Sequence, residues 1–293
     1  MKSRTKIWLG VGAFVVAGAG TGAVAVEAPA PDRARTDTSD IALTRTLSQP
    51  MRFAAAAPAH KQGGEQGESG DEGGDKNKPQ LPADLDFALK IAQIRGHLLV
   101  GDQLVKENQW AAALPHFLHP SEELYGPLRP KLKDYKTPPF ATALKLLATI
   151  VKAKKGGADY ADALKTVNDA LAAADAGLKE KQKDWDAFTV ETAIEVLKSA
   201  TSEYQEAIVK GRIAKPVEYQ DARGFVWQAE GMIEGIASAL EQKDKDALAH
   251  VRAGFAELKK AWPTAMAPKA PVKDYGAVLG DVSRIELSAG KLM

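Results

Sequence analysis

Two histidines and two carboxylates occur within one short stretch of the chain, residues 116–123. The chain has only five histidines, and two of them, His116 and His119, stand three positions apart in this stretch. His119 and Glu122 form a His-x-x-Glu pair. If a helix begins at Pro120, a position that suits proline, His119 caps it and Glu122 lies on its first turn. Imidazole and carboxylate groups on one helix face are common ligands of transition-metal ions.

Two residues elsewhere in the chain are secondary candidates for the same site. His97 lies among leucines in an earlier helical segment, and an antiparallel hairpin could bring it near His116 and His119. Asp221 lies in the first turns of a later helix and could add a carboxylate oxygen. Each has an ordinary structural alternative. His97 could be a core histidine, Asp221 a carboxylate favoured by the helix dipole, and His119 and Glu122 a solvated helix entry.

Composition excludes several classes of function. The chain has no cysteine, which rules out disulfides, thiol catalysis, zinc ribbons and an acylated lipoprotein anchor. The net charge is +1 and no long basic stripe appears, so nucleic acid is not an expected partner. We find no nucleophile triad, phosphate-binding loop or dinucleotide fingerprint. We therefore expect that the protein is not an enzyme.

The N-terminal part of the chain predicts export and a tether. Residues 1–25 have a basic start, a long apolar run and an Ala-x-Ala site at residues 23–25, which is the pattern of a signal peptide. An uncleaved membrane anchor is the alternative, because the apolar run is long. Residues 26–82 are rich in alanine, proline, glycine and acidic residues, which predicts a disordered linker. The expected location is the periplasm.

Residues 83–293 predict an all-α domain. Apolar residues recur near the helical period, and no alternating strand pattern appears. We expect an antiparallel helical bundle. Its second helix should be disturbed by Pro115 and Pro120, a long helix should follow Asp184 as N-cap, and one unbroken helix should span residues 217–241. Asp244 or Asp246 should begin another helix, and a last one should cover residues 274–292.

The chain also resembles a known family. Residues 211–213 (Gly-Arg-Ile), 219–221 (Tyr-Gln-Asp), Phe225, residues 230–231 (Glu-Gly) and residues 240–244 (Leu-Glu-Gln-Lys-Asp) occur in an order similar to that of the imelysin and EfeO-type family of bacterial periplasmic proteins. Residues 111–116 and 125–128 resemble the entry to that family's second helix. The likeness extends diffusely over residues 85–262. It implies a periplasmic helical bundle linked to iron uptake, with Asp221 as the residue that carries over most directly.

These observations lead to one main hypothesis and one alternative. The main hypothesis is an exported helical protein that binds iron or another divalent transition metal for uptake or storage, with a membrane transporter or envelope protein as partner. Its ligands would be His119 and Glu122, supported by His116, His97 and Asp221. The alternative is an envelope scaffold that binds a protein or polysaccharide without metal, in a groove lined by aromatic residues: Trp110, Tyr125, Tyr219 and Trp227.

Overall fold

The computed structural model of the chain describes residues 80–293. The predicted signal peptide, residues 1–25, and the predicted linker up to residue 79 lie outside the described residues. None of the helices in the described part is both long and apolar enough to cross a membrane.

The described residues form a helical structure with one very short hairpin. Its elements, in chain order, are α1 (Ala83–Lys106), α2 (Trp110–His119), a π-helical turn (Pro120–Leu124), α3 (Tyr125–Leu128), a 3-10 helix (Arg129–Tyr135), α4 (Ala141–Lys152), α5 (Ala158–Lys179), α6 (Trp185–Ala207), β1 (Ile208–Val209), β2 (Arg212–Ile213), α7 (Pro216–Gly235), α8 (Ala237–Leu258), a 3-10 turn (Lys259–Ala261), α9 (Tyr275–Ala289) and a final 3-10 turn (Gly290–Leu292). The predicted all-α class is confirmed.

Local sequence signals explain most helix boundaries. The Asp184 carboxylate accepts a hydrogen bond from the Ala187 N–H at 2.9 Å, so it is the N-cap that the sequence predicted for α6. Asp274 caps α9 in the same way, through the Ala277 N–H at 2.8 Å. Pro216 occupies the start of α7, where its missing N–H costs nothing.

The predicted unbroken helix over residues 217–241 is wrong. The chain leaves helical geometry at Ile236, between α7 and α8, where φ is −117° and ψ is 12°. A second break falls inside α8 at Asp244, where φ is −157° and ψ is 96°. The Asp244 carboxylate accepts from the Ala247 N–H at 2.9 Å, so it caps the helical stretch that follows, as predicted.

The predicted start of a new helix at Pro120 is also wrong. His119 has helical dihedral angles (φ −49°, ψ −45°) and makes no capping hydrogen bond. α2 runs through Pro115, and the chain then widens into a π-helical turn in which the Tyr125 N–H donates to the Pro120 carbonyl oxygen. Proline has no N–H to donate to the residue four positions earlier, so the wider turn lets the helical path continue.

Apolar side chains gather into two cores. The first core lies among α1, α2, α4 and α5, and the second among α6, α7, α8 and α9. α1 contacts both sets of helices, and Ala92 on α1 belongs to the second core. The crossing of α1 and α7 is therefore a main junction between the two cores.

Two glycines make that crossing close. A Cβ atom on Gly224 of α7 would lie 2.2 Å from the carbonyl oxygen of Gly96 on α1. A Cβ atom on Gly96 would lie 2.4 Å from Cδ1 of Phe225. Both distances are far shorter than a van der Waals contact. Any other residue at position 224 would therefore meet the backbone of α1 and push the helices apart, and one at position 96 would displace the Phe225 ring.

We expect Gly224→Ala to lower the free energy of unfolding by about 1–3 kcal/mol, because the new methyl group meets backbone that cannot move alone. Gly231→Ala on the same helix is the matched control, since a Cβ atom there has nothing within 4 Å. The control should be neutral or stabilising by about 0.5–1 kcal/mol, as alanine favours helix. Urea unfolding of both variants measures this; equal stabilities would contradict the close crossing.

Candidate metal centre

A single buried carboxylate lies at the centre of the histidine cluster. Asp221 on α7 is 2% exposed. Its Oδ1 atom lies 2.6 Å from Nδ1 of His97 and 2.7 Å from Nδ1 of His116. Its Oδ2 atom lies 3.4 Å from Nδ1 of His119. Three imidazole rings therefore surround one carboxylate.

Three helices supply these side chains. His97 lies on α1 next to Gly96. The close crossing of α1 and α7 at Gly96 and Gly224 therefore places the His97 ring against Asp221. His116 and His119 lie three residues apart on α2 and share one face of it. α2 also approaches α1 closely, because a Cβ atom on Gly101 would lie 2.7 Å from Cε2 of Phe117 and 3.2 Å from Cβ of His116.

Burial and neighbouring groups act in opposite directions on the charge of Asp221. Burial raises the pKa of this carboxyl group, because the charged form loses water. The Coulombic effects of His97 and His116 and the hydrogen bonds from His116 and His119 lower it by more. The net result is a pKa well below the usual range of an aspartate. Asp221 is therefore a carboxylate, and its oxygens only accept hydrogen bonds.

The Nε2 atoms of the two buried histidines, His97 and His116, differ in their hydrogen bonding. Nε2 of His116 lies 2.9 Å from Oε1 of Gln220, a second oxygen acceptor. Nε2 of His97 is buried and has no hydrogen-bond partner. The ring of Phe225 packs edge-on against His97, with 5.1 Å between ring centroids. A buried polar atom without a partner is costly in a core, so its presence in the cluster needs an explanation.

Three side chains of the cluster could together hold one small cation. His97, His116 and Asp221 each offer a ligand atom, and these three atoms all lie within 4.8 Å of one another. Two ligands of one ion stand about 3.0–4.2 Å apart, since bonds from zinc-like ions to nitrogen and oxygen are about 2.1 Å. A bound ion would therefore widen the 2.6 and 2.7 Å contacts between Asp221 and the two rings. Two imidazoles and one carboxylate form the ligand set that iron(II) commonly takes in proteins.

The structure brings together four of the five predicted site residues. His97, His116, His119 and Asp221 lie in the cluster, and the side chain of His119 is 20% exposed at its edge. Glu122 is exposed and lies outside the group of side chains within reach of one ion. The π-helical turn explains this, because Glu122 does not lie on the first turn of a regular helix capped by His119.

Sequence reasoning missed one member of the site. Gln220 is 1% exposed and contacts His116, although only its position next to Asp221 singles it out in the sequence. The aromatic residues predicted to line a groove separate as well. Tyr125 and Tyr219 are buried in the two cores, whereas Trp227 lines an open groove between α1, α5, α6 and α7.

Comparison with known proteins gives one match. Residues 179–293 match the family model of an iron permease-associated 4-helix bundle domain. A search of curated proteins and a search of solved structures gave no match. The matched part is less than half of the chain and contains α6, α7, α8 and α9, the helices around the second core.

The match supports the broader part of the predicted resemblance. The C-terminal part of the chain is similar to a helical domain associated with iron uptake, while the narrower likeness to the imelysin and EfeO-type family stays a prediction. Asp221 lies inside the matched part, and the three histidines of the cluster lie before it. The cluster therefore combines a carboxylate from the matched helices with imidazoles from the preceding ones.

We expect Asp221→Asn to lower the free energy of unfolding by about 2–4 kcal/mol, because it leaves buried imidazole groups without their charged acceptor. Asp169→Asn is the control, since its exposed pair with Lys165 should contribute less than about 1 kcal/mol.

The lowered pKa of Asp221 stabilises the fold above the unfolded pKa of about 4, and this contribution is lost as the pH falls through the lower folded value. Urea unfolding at several pH values measures both effects; a loss equal to that of the control would contradict them.

Proposed function

We propose that this protein binds a divalent transition-metal ion, iron(II) foremost, and serves its uptake. His97, His116 and Asp221 would be the ligands, with His119 at the edge of the same site. The observation that carries the proposal is the convergence of these imidazoles on one buried carboxylate. The similarity of residues 179–293 to an iron permease-associated domain supports iron as the cargo.

One ring nitrogen of the cluster supports a metal ion over a purely structural role. Both Nδ1 atoms face the same carboxylate oxygen, and a carboxylate cannot donate, so each ring must hold a proton there in the ion-free protein. A cation between the rings and the carboxylate would replace those protons by coordination. The unpartnered Nε2 of His97 gives a second nitrogen that a purely structural role does not use.

The site residues suit binding and delivery better than catalysis. The cluster is almost fully buried, which favours holding an ion over presenting it to an organic substrate. We therefore propose a binding protein and not an enzyme. The N-terminal sequence supports export to the periplasm, and the family match supports a membrane iron transporter as partner.

One observation favours the alternative function as an interaction protein. An open groove of about 550 Å³ lies between α1, α5, α6 and α7, and it is lined by Trp185, Phe188 and Trp227 together with aliphatic residues. Grooves of this size with aromatic walls are typical of sites for organic ligands or peptides. This groove involves different side chains from the metal cluster.

We expect the purified full chain to bind Fe²⁺ stoichiometrically under anaerobic conditions at neutral pH. His97→Gln and His116→Gln should each weaken binding by about 100-fold or more, since even changes behind a metal ligand commonly cost 10–100-fold. Glu122→Gln should leave the affinity unchanged, because Glu122 lies outside the cluster. Isothermal titration calorimetry measures these affinities, and circular dichroism checks that each variant is folded.

His250→Gln is the control for loss of a histidine, because His250 on α8 is exposed and lies outside the cluster. A wild-type chain without saturable Fe²⁺ binding would overturn the proposal and leave the aromatic groove as the feature to pursue. Weaker binding in Glu122→Gln with unchanged binding in His97→Gln would move the site back to the His-x-x-Glu pair.

A further inference from the structure

A methionine at the surface connects the buried cluster to solvent. Met266 is 43% exposed, yet its Sδ atom lies 3.9 Å from Nε2 of Gln220. Gln220 is buried, and its Oε1 atom lies 2.9 Å from Nε2 of His116. The three side chains thus form one line of contacts from solvent to a ligand of the proposed site.

The segment that carries Met266 is held in place over this part of α7. The Trp262 side chain donates to the Tyr219 carbonyl oxygen at 2.9 Å, and the Tyr219 hydroxyl donates to the Thr264 carbonyl oxygen at 3.3 Å. The Thr264 hydroxyl in turn donates to the Met266 carbonyl oxygen at 2.7 Å. Ala265 is buried in the first core, although the flanking Trp262 belongs to the second. The position of Met266 is therefore defined by the fold.

The chemistry of these two side chains suits passage of a metal ion. A thioether is a soft, neutral ligand that favours reduced transition-metal ions over hard ions such as Mg²⁺ and Ca²⁺. A neutral ligand at the surface can hold an ion briefly without trapping it. Gln220 contacts both neighbours through its terminal amide, His116 through Oε1 and Met266 through Nε2, and the last torsion of a glutamine side chain has no strong staggered preference.

We propose that a reduced transition-metal ion enters the cluster by way of Met266, with the Gln220 side chain as the gate between Met266 and His116. This inference rests on the proposed function, because it assigns the entry point of the same site. It goes further in naming the class of ion that is admitted fastest, a reduced ion with affinity for sulfur. In this role Gln220 is a positioning residue and Met266 a transient ligand.

Stopped-flow tryptophan fluorescence under anaerobic conditions tests the proposal, since Fe²⁺ and Mn²⁺ are paramagnetic quenchers and Trp262 lies against this segment. Met266→Leu keeps the size of the side chain and removes the sulfur. We expect the Fe²⁺ association rate to fall about tenfold, while the equilibrium affinity changes less than about threefold. The ratio of the Fe²⁺ rate to the Mn²⁺ rate should fall as well, because Mn²⁺ gains less from a thioether.

Met232→Leu is the matched control, because Met232 lines the aromatic groove, whereas the Gln220 amide faces the sulfur of Met266. Gln220→Ala should raise both the association and the dissociation rate, because it removes the gate. An unchanged Fe²⁺ rate in Met266→Leu with wild-type affinity overturns this inference alone, and means that ions enter elsewhere, for example past His119. Absence of saturable quenching in the wild-type chain overturns this inference and the proposed function together.

Discussion

The buried charge of Asp221 is the constraint on which this part of the structure depends. Moving a carboxylate out of water costs several kcal/mol unless nearby groups compensate. Here the compensation comes from imidazole groups on two other helices, at 2.6 and 2.7 Å from the same oxygen. Because one partner lies on α1 and the other on α2, the charge is compensated only when these helices and α7 are all packed together.

That packing depends on close helix approaches at three glycines. Gly96 and Gly224 let α1 and α7 touch beside His97 and Asp221, and Gly101 lets α2 lie against α1 beside His116. The π-helical turn after α2 has a related effect, since it continues the helical path through Pro120 and keeps His119 helical. Contacts between the helices thus determine where the cluster lies and which polar side chains meet in it.

The fold class and four residues of the cluster could be named from sequence, but their geometry could not. Helical periodicity and the Asp184 cap depend on nearby residues, so both were predicted correctly. His97 and Asp221 are 124 positions apart, and nothing local indicates that they meet. The same limit explains why the sequence favoured Glu122 as a ligand. Glu122 is near His119 in sequence, but the turn that carries it is not the regular helix that the His-x-x-Glu pairing assumed. Gln220 went unrecognised because its role comes only from contact with His116.

The division of the cluster between two parts of the chain has a consequence for how ion binding and folding are linked. The imidazoles belong to helices that precede the matched iron permease-associated part, and the carboxylate belongs to a helix within it. A ligand that binds only the assembled site stabilises the assembled state by mass action. An ion held between His97, His116 and Asp221 would therefore strengthen the junction of the two cores, and loosening of that junction would release the ion. Binding and release would then need no separate moving domain, because the ligands lie at the crossing of α1 and α7, where the two cores meet.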